Sequence, residues 1–494
     1  MAKPAKRSKR KLSLSAFTII LLLTFVLAII TQFLPEAKFV GEEIVDGSGV
    51  VKATLYNTLL SPILGFADAI DIAMFILVLG AFLKVVNTTH AIETGIEVLI
   101  KKLKGNELIL IAVLMFIFSI GGTTYGMLEE TVGFYAILAV AMVAAGMDTI
   151  VSSAVVLLGA GSGVLGSTVN PFAVGVAVDA LPDGIAVNQG IIIGLGVILW
   201  ITTYLISMFF VVRYAKKIIK KKGSTFLSLQ EQKAMKEAYG NTSNSKEVPK
   251  LSGRQKATLW LFLITFIVMI VGFIPWEDFG VTIFANIQAA LEGVPVLGKI
   301  ANGFVPLGGW YFQESTLWFL IMTIVIGIIA GLNEHELVDT IIDGADDMVG
   351  VILIIAVARG TSILMMQTHL DNYIIFNASK GLSHVPAYIF APLNYLLHVG
   401  LSILVPSSSG LATLSTPIMG PLSASVGYSV ETTLMSMVAA NGLVNLFTPT
   451  CGAIMGGLEL AKVEYTTWLK WVGKVILTIL VVNIVILTIA MMFL

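Results

Sequence analysis

Apolar runs recur along almost the whole chain, separated by short polar stretches. The clearest cover residues 12–34, 70–86, 108–120, 134–145, 150–160, 191–212, 259–274, 317–330, 351–357, 387–405 and 472–494. Crossing ~30 Å of hydrocarbon takes about 20 helical residues at ~1.5 Å each, and the longest runs meet that length. The first run follows the basic stretch 1–11, and no small-residue cleavage site follows it, so it reads as a retained helix rather than a signal peptide.

Several runs are broken by small and polar residues, and the breaks come in pairs. The first half holds Gly121-Gly122-Thr123-Thr124-Tyr125-Gly126 and the stretch from Gly161 through Ser167-Thr168-Val169-Asn170-Pro171. In the second half lie Pro406-Ser407-Ser408-Ser409-Gly410 and the stretch from Asn441 through Asn445 to Thr448-Pro449-Thr450. A broken backbone exposes N–H and C=O groups that lipid cannot satisfy, so it survives only inside protein or beside a wet cavity. Half-helix N-termini, unwound carbonyls and Ser, Thr and Asn side chains are also what a binding site needs. A lone Gly or Ser would be read as a helix-packing contact. Four paired clusters point instead to a site lining.

The pairing extends to an internal repeat with an offset of roughly 280 residues. Gly80 with Thr89-His90 matches Gly360 with Thr368-His369, and Gly163-Val164-Leu165 matches Gly442-Leu443-Val444. An extra helix near 259–274 makes the second copy start from the opposite side, an inverted repeat. The expected layout is a first repeat over 1–213 with a hairpin near 107–146, a linker at 214–255 read as a solvated cytoplasmic connector, a connecting helix at 256–275, and a second repeat over 276–494 with a hairpin near 384–428. The first hairpin is read as two helices meeting at 121–126, and 90–103 and 369–382 as interfacial connecting helices.

Composition narrows the class. Of 494 residues, 56% are hydrophobic and 12% charged, too few charges to cover a soluble surface. The net charge of -1 gives no basis for nucleic-acid binding. Cys451 is the sole cysteine, and the chain has no metal-ligand spacing, Walker A loop, HExxH or nucleophile elbow. Enzymatic and ATP-driven readings, and a metal or other cofactor, therefore have no support. Lys101, Lys102, Lys104, Arg213, Lys216, Lys217 and Lys220 cluster where a cytoplasmic N-terminus would put them.

The run from Gly121 to Thr131 (GGTTYGMLEET), with Ser407-Ser408-Ser409-Gly410-Leu411-Ala412 and Thr448-Pro449-Thr450, resembles the YfcC-like branch of the C4-dicarboxylate anaerobic carrier family. The similarity covers nearly the whole chain and is closest to arginine/ornithine antiporters of that branch in Gram-positive bacteria. It implies an all-α polytopic membrane protein with inverted repeats, about nine transmembrane helices, two re-entrant hairpins and paired broken helices. It also implies an elevator-type carrier in the cell membrane, as a homodimer. The branch is functionally mixed, so membership leaves the substrate open.

Charge at membrane depth gives a lean. Glu129 and Glu130 follow the first hairpin tip, and none of the four breaks holds a Lys or Arg. Two acids without a base suit an amino or guanidinium group, so the expected substrate is a cationic or zwitterionic amino acid, exchanged as arginine for ornithine or a related pair. An ion-coupled carboxylate carrier is the alternative. The candidate substrate-binding residues are Thr123, Thr124, Tyr125, Glu129, Glu130, Asn170, Ser407, Ser408, Ser409, Asn445, Thr448 and Thr450. Gly122, Ser167, Thr168 and Arg359 are candidate ion or charge partners, Arg359 being expected to pair with an acid or a broken-helix carbonyl. Coupling to Na+ or H+ stays open.

Overall fold

The computed structural model describes residues 16–494 except 41–42, 46, 93, 96–97, 99–106, 183, 222, 241–250, 275, 293, 295–298 and 300–302. The basic stretches 1–11 and 101–104, part of the 90–103 connecting segment and part of the linker thus lie outside the described residues. The chain is all-α apart from a ribbon pairing Phe39–Val40 with Glu43–Ile44. Its first half runs α1 (Ala16–Phe33), α2 (Leu55–Asp68), α3 (Ile70–Thr88), α4 (Glu107–Tyr125), α5 (Val132–Ala144), α6 (Thr149–Leu165), α7 (Val176–Asp179) and α8 (Gln189–Lys220). Then come α9 (Leu229–Tyr239), α10 (Gly253–Phe273) and α11 (Ile283–Glu292). The second half runs α12 (Phe312–Ala330), α13 (Glu334–Asp346), α14 (Val349–Thr368), α15 (Leu370–Leu382), α16 (Ala387–Leu404), α17 (Ser408–Ser425), α18 (Val430–Val444), α19 (Gly452–Leu460) and α20 (Tyr465–Phe493).

Among the described residues, seven helices are long and apolar enough to cross a membrane. Their outer faces carry stripes of exposed apolar side chains, such as Leu477, Val481, Val485 and Ile489 on α20. The i, i+4 spacing of that stripe gives one helix face a hydrocarbon surface, as lipid contact requires.

The early helices of the two repeats interlock as one body. Helix α2 packs along α14 and α3 along α13, while α1 lies on α14 and α12 on α3. Glycine sets both crossings: a Cβ on Gly65 would overlap the backbone of Gly360, and one on Gly80 the backbone of Gly344. Gly65 and Gly344 are repeat equivalents, as are Gly80 and Gly360, so the contacts are related by the internal symmetry. His90 and His369 are equivalent too, and both take left-handed backbone conformations, at φ 53° and 51°. His369 ends α14 and turns the chain into α15.

The later helices form a second body. The α4–α5 and α16–α17 hairpins clasp α6 and α18, which meet at the centre. Every residue of α6 is buried. Residues 121–125 continue α4 instead of breaking it, and the turn comes at 126–128. The reason is packing: Gly122 faces the backbone of Ala160 and Gly163 that of Ser119, so these glycines bring two helices together.

The start of the linker is docked where a solvated connector was expected. Asp148, the N-cap of α6, accepts hydrogen bonds from Tyr214 (2.7 Å) and Thr225 (2.6 Å). Buried Glu231 accepts from the backbone N–H of Ser228 (2.6 Å) and Glu464 (2.8 Å) and from the Thr467 hydroxyl (3.1 Å). Tyr239 donates to the carbonyl of Leu460 at the end of α19. Residues 224–239 thus strap the first-repeat helix α6 to the second-repeat helices α19 and α20. The polarity of this stretch hid the docking, because its carboxylate is spent on buried donors.

Two outcomes follow. Gly360→Leu forces a side chain into the α2 backbone and should abolish recovery of monodisperse protein in detergent, whereas Gly350→Leu, at a position with open space around it, should not. Glu231→Ala leaves buried donors unanswered and should cost about 1–3 kcal/mol, read as a lowered thermal unfolding midpoint.

Candidate functional site

Each hairpin tip is stapled to a helix break. Helix α6 stops at Gly166, whose carbonyl accepts from the Thr123 hydroxyl (2.8 Å), and Thr168 N–H donates to the Thr123 carbonyl (3.0 Å). Past the break, Asn170 Oδ1 accepts from the N–H groups of Phe172 (3.0 Å) and Ala173 (3.3 Å) and so restarts the helix. Gly126 closes the first tip at φ +82°, a conformation L side chains rarely adopt, with Asn170 directly against it.

The second tip is built with different residues to the same end. Pro406 has no N–H, and its carbonyl accepts from Asn441 and Asn445 Nδ2, both at 3.1 Å. Ser407 caps α17 by accepting from Gly410 N–H (3.2 Å), and the Ser408 hydroxyl donates to Asn441 Oδ1 (2.8 Å). Thr450 donates to the Ile403 carbonyl (2.8 Å), fixing the second break to α16.

Between the stapled tips lies a cavity of about 120 Å3, and beside it one of about 40 Å3 sharing Leu128, Glu129, Arg359, Pro406, Ser407 and Asn445. Of the candidate residues, Glu129, Asn170, Ser407, Ser408, Ser409, Asn445 and Arg359 line the larger cavity and Thr450 the smaller. Thr123, Ser167 and Thr168 are buried in the staple instead. The Thr124 hydroxyl is turned back to the carbonyl of Ile120 (2.7 Å), Thr448 bonds Thr450 (2.7 Å), and Gly122 sits in the α4–α6 contact. The side chains of Tyr125 and Glu130 lie outside the described residues.

Two charges face the cavity from different bodies. Glu129 starts the short 3-10 turn leading into α5, and its carboxylate makes no ion pair or hydrogen bond among the described residues. Arg359 comes from α14, with its Nε 3.9 Å from Asp68 Oδ2 and no hydrogen bond to a described residue. Asn445 Oδ1 is buried without a hydrogen-bond partner among the described residues. Opposite the acid stands the N-terminus of α17, whose first-turn N–H groups have no intrahelical acceptor and carry partial positive charge. The site is therefore dipolar, with a carboxylate on one tip and a helix N-terminus on the other.

Sequence reasoning missed Asp68, and with it the partner of Arg359. The signal was present in the repeat. Asp68 and Asp347 are equivalent, and Asp347 pairs with Lys84 at 2.8 Å, so each acid meets a base carried by the other repeat. The apolar lining from Ile72, Phe172 and Phe312 was also unmarked, since nothing sets those residues apart from core positions until the chain is folded.

The chain is similar to known proteins over most of its length. The chain is 32% identical over 426 residues to a Haemophilus influenzae protein of uncharacterised function, covering 86% of this chain and 76% of that one. It is 28% identical over 432 residues to YfcC of Escherichia coli K12, whose name proposes basic amino acid antiport, covering 84% of this chain and 76% of that one. Among solved structures it aligns with the Neisseria gonorrhoeae efflux pump MtrF at 13% identity and TM-score 0.43, covering 98% and 96% of the two chains. It also aligns with the Alcanivorax borkumensis transporter YdaH at 15% identity and TM-score 0.45, covering 96% and 97% of the two chains. Residues 14–492 match the model for DcuC, the C4-dicarboxylate anaerobic carriers. The chain belongs to the C4-dicarboxylate anaerobic carrier family, and is a multi-pass membrane transporter.

Proposed function

We propose that the protein is a secondary carrier that exchanges cationic amino acids, arginine for ornithine or a closely related pair. The observation that carries this reading is the carboxylate of Glu129, unpaired among the described residues and lining one cavity with the α17 N-terminus. An α-amino acid with a basic side chain presents one carboxylate and an excess of N–H donors. Its carboxylate suits the first turn of α17 at Ser408 and Ser409, and its cationic end suits Glu129 and the unpartnered Asn445 Oδ1. The charge balance points the same way: Arg359 is answered by Asp68, which leaves Glu129 seeking one positive charge. The name given to the Escherichia coli relative supports the same class.

In this reading the hairpins and broken helices move as one body against the interlocked helices α1–α3 and α12–α14, carrying the cavity across the membrane in a homodimer whose N-termini face the cytoplasm. The other candidate, a C4-dicarboxylate, is favoured by the α17 N-terminus and by Arg359. It would have to overcome the charge of Glu129.

Proteoliposomes loaded with ornithine, with succinate or with neither decide between them. Radiolabelled arginine is expected to enter only ornithine-loaded vesicles, and succinate flux in place of arginine flux overturns the reading. Glu129→Gln should lower arginine exchange by about 100-fold or more, the scale of one lost charge-assisted contact, with folding retained. Ser409→Ala, which keeps the backbone donors, should cost less than about tenfold.

A further inference from the structure

We infer that Arg359 is a tethered stand-in for the cationic cargo, which holds the empty carrier in place and so makes transport an exchange. The inference rests on the cationic-exchange reading above and assigns its regulation to one residue. The first support is position. Val351, Ile355 and Arg359 follow at i, i+4 and i+8 on α14, and thus share one face. Val351 lies against Gly456 of α19 and Ile355 against Gly452, so this face of the interlocked body meets the body that carries the site. Arg359 continues the stripe into the cavity and lines both of its parts together with Glu129.

The second support is the guanidinium's incomplete satisfaction. It has five N–H donors, and its one ionic contact, Nε at 3.9 Å from Asp68, is too long for a hydrogen bond. The Glu129 carboxylate, on the other body, makes no ion pair or hydrogen bond among the described residues. An under-bonded guanidinium and an under-bonded carboxylate therefore share a cavity across a sliding interface. Arginine cargo brings the same chemical group that Arg359 already carries.

The consequence is a competition. When cargo leaves, the guanidinium turns from Asp68 to Glu129, and the pair ties the site-bearing body to the static one. Cargo arriving from either side displaces Arg359 back to Asp68 and releases the body to move with its acid neutralised. An empty carrier must break the pair and carry a bare carboxylate past apolar surface, which slows its return. Flux then needs cargo in both directions.

The test uses purified full-length carrier in vesicles preloaded with radiolabelled ornithine and diluted into buffer with or without arginine. In the wild type, external arginine should accelerate efflux by at least about tenfold. In Arg359→Gln, efflux into arginine-free buffer should rise toward the exchange rate and the acceleration should fall below about twofold, with Arg359→Lys restoring it. A Gln variant that keeps the wild-type acceleration overturns the inference. So does a folded Gln variant that loses efflux under both conditions, which would make Arg359 a ligand for the cargo's carboxylate.

A readout without cargo separates this assignment from the substrate. Thermal midpoints of Glu129→Gln, Arg359→Gln and the double variant should be coupled, the double shift differing from the sum of the single ones. Additive midpoints overturn the tether whatever the cargo is. If the wild type exchanges no arginine, the substrate reading falls, and the thermal cycle still decides on Arg359.

Discussion

Backbone polar groups cannot be left unpaired inside a bilayer, and the organisation of this carrier follows from that constraint. Two central helices, α6 and α18, are interrupted at membrane depth, which exposes carbonyls and N–H groups where no water is freely available. The hairpin tips answer them: Thr123 takes the end of α6, while Asn441 and Asn445 take the carbonyl before α17. Because tip and break satisfy one another, the polar centre can exist only if both hairpins fold onto it. The same closure leaves a few groups over among the described residues, the Glu129 carboxylate and Asn445 Oδ1 among them, and these line the cavity.

The two kinds of contact differ in side-chain size. Backbone-to-backbone crossings at Gly65, Gly80, Gly344 and Gly360 lock the interlocked body, since no side chain intervenes to adjust. At the boundary with the site-bearing body, by contrast, the glycines Gly452 and Gly456 meet the aliphatic side chains of Ile355 and Val351. Smooth glycine against branched side chains is a contact that can be remade in more than one register. The docked linker serves the opposite purpose within the site-bearing body, where Thr225 holds Asp148 of the first repeat and Glu231 holds Glu464 and Thr467 of the second.

The helical membrane class, the inverted repeat and the four polar clusters were legible in the sequence, because hydrophobic length and paired interruptions are local signals. The clusters were read too literally, however. Gly122 looked like part of a break and proved to be a packing surface, since a glycine in sequence does not reveal whether it bends a helix or admits a neighbour. Helices α2 and α13 were also passed over. Pro62 and the hydroxyls of α2, and the acids of α13, dilute their apolar signal, while what stabilises them is a crossing with the other repeat. Glu129 and Ser407 to Ser409 were found as candidates because charge and hydroxyls at depth stand out. Asp68 was not, because its meaning depends on Arg359, nearly 300 positions away.

The reciprocal glycine crossings bear on how such a chain could arise. Gly65 seats on Gly360 and Gly80 on Gly344, so each repeat supplies half of both contacts and completes neither alone. A half-length ancestor would have found those partners only in a second copy inserted upside down. The founding unit would then have been a gene product able to enter the membrane in both orientations. Fusion of two such genes would have fixed one copy each way, after which the two acids Asp68 and Asp347 were free to diverge, one toward a plain ion pair with Lys84 and the other toward Arg359.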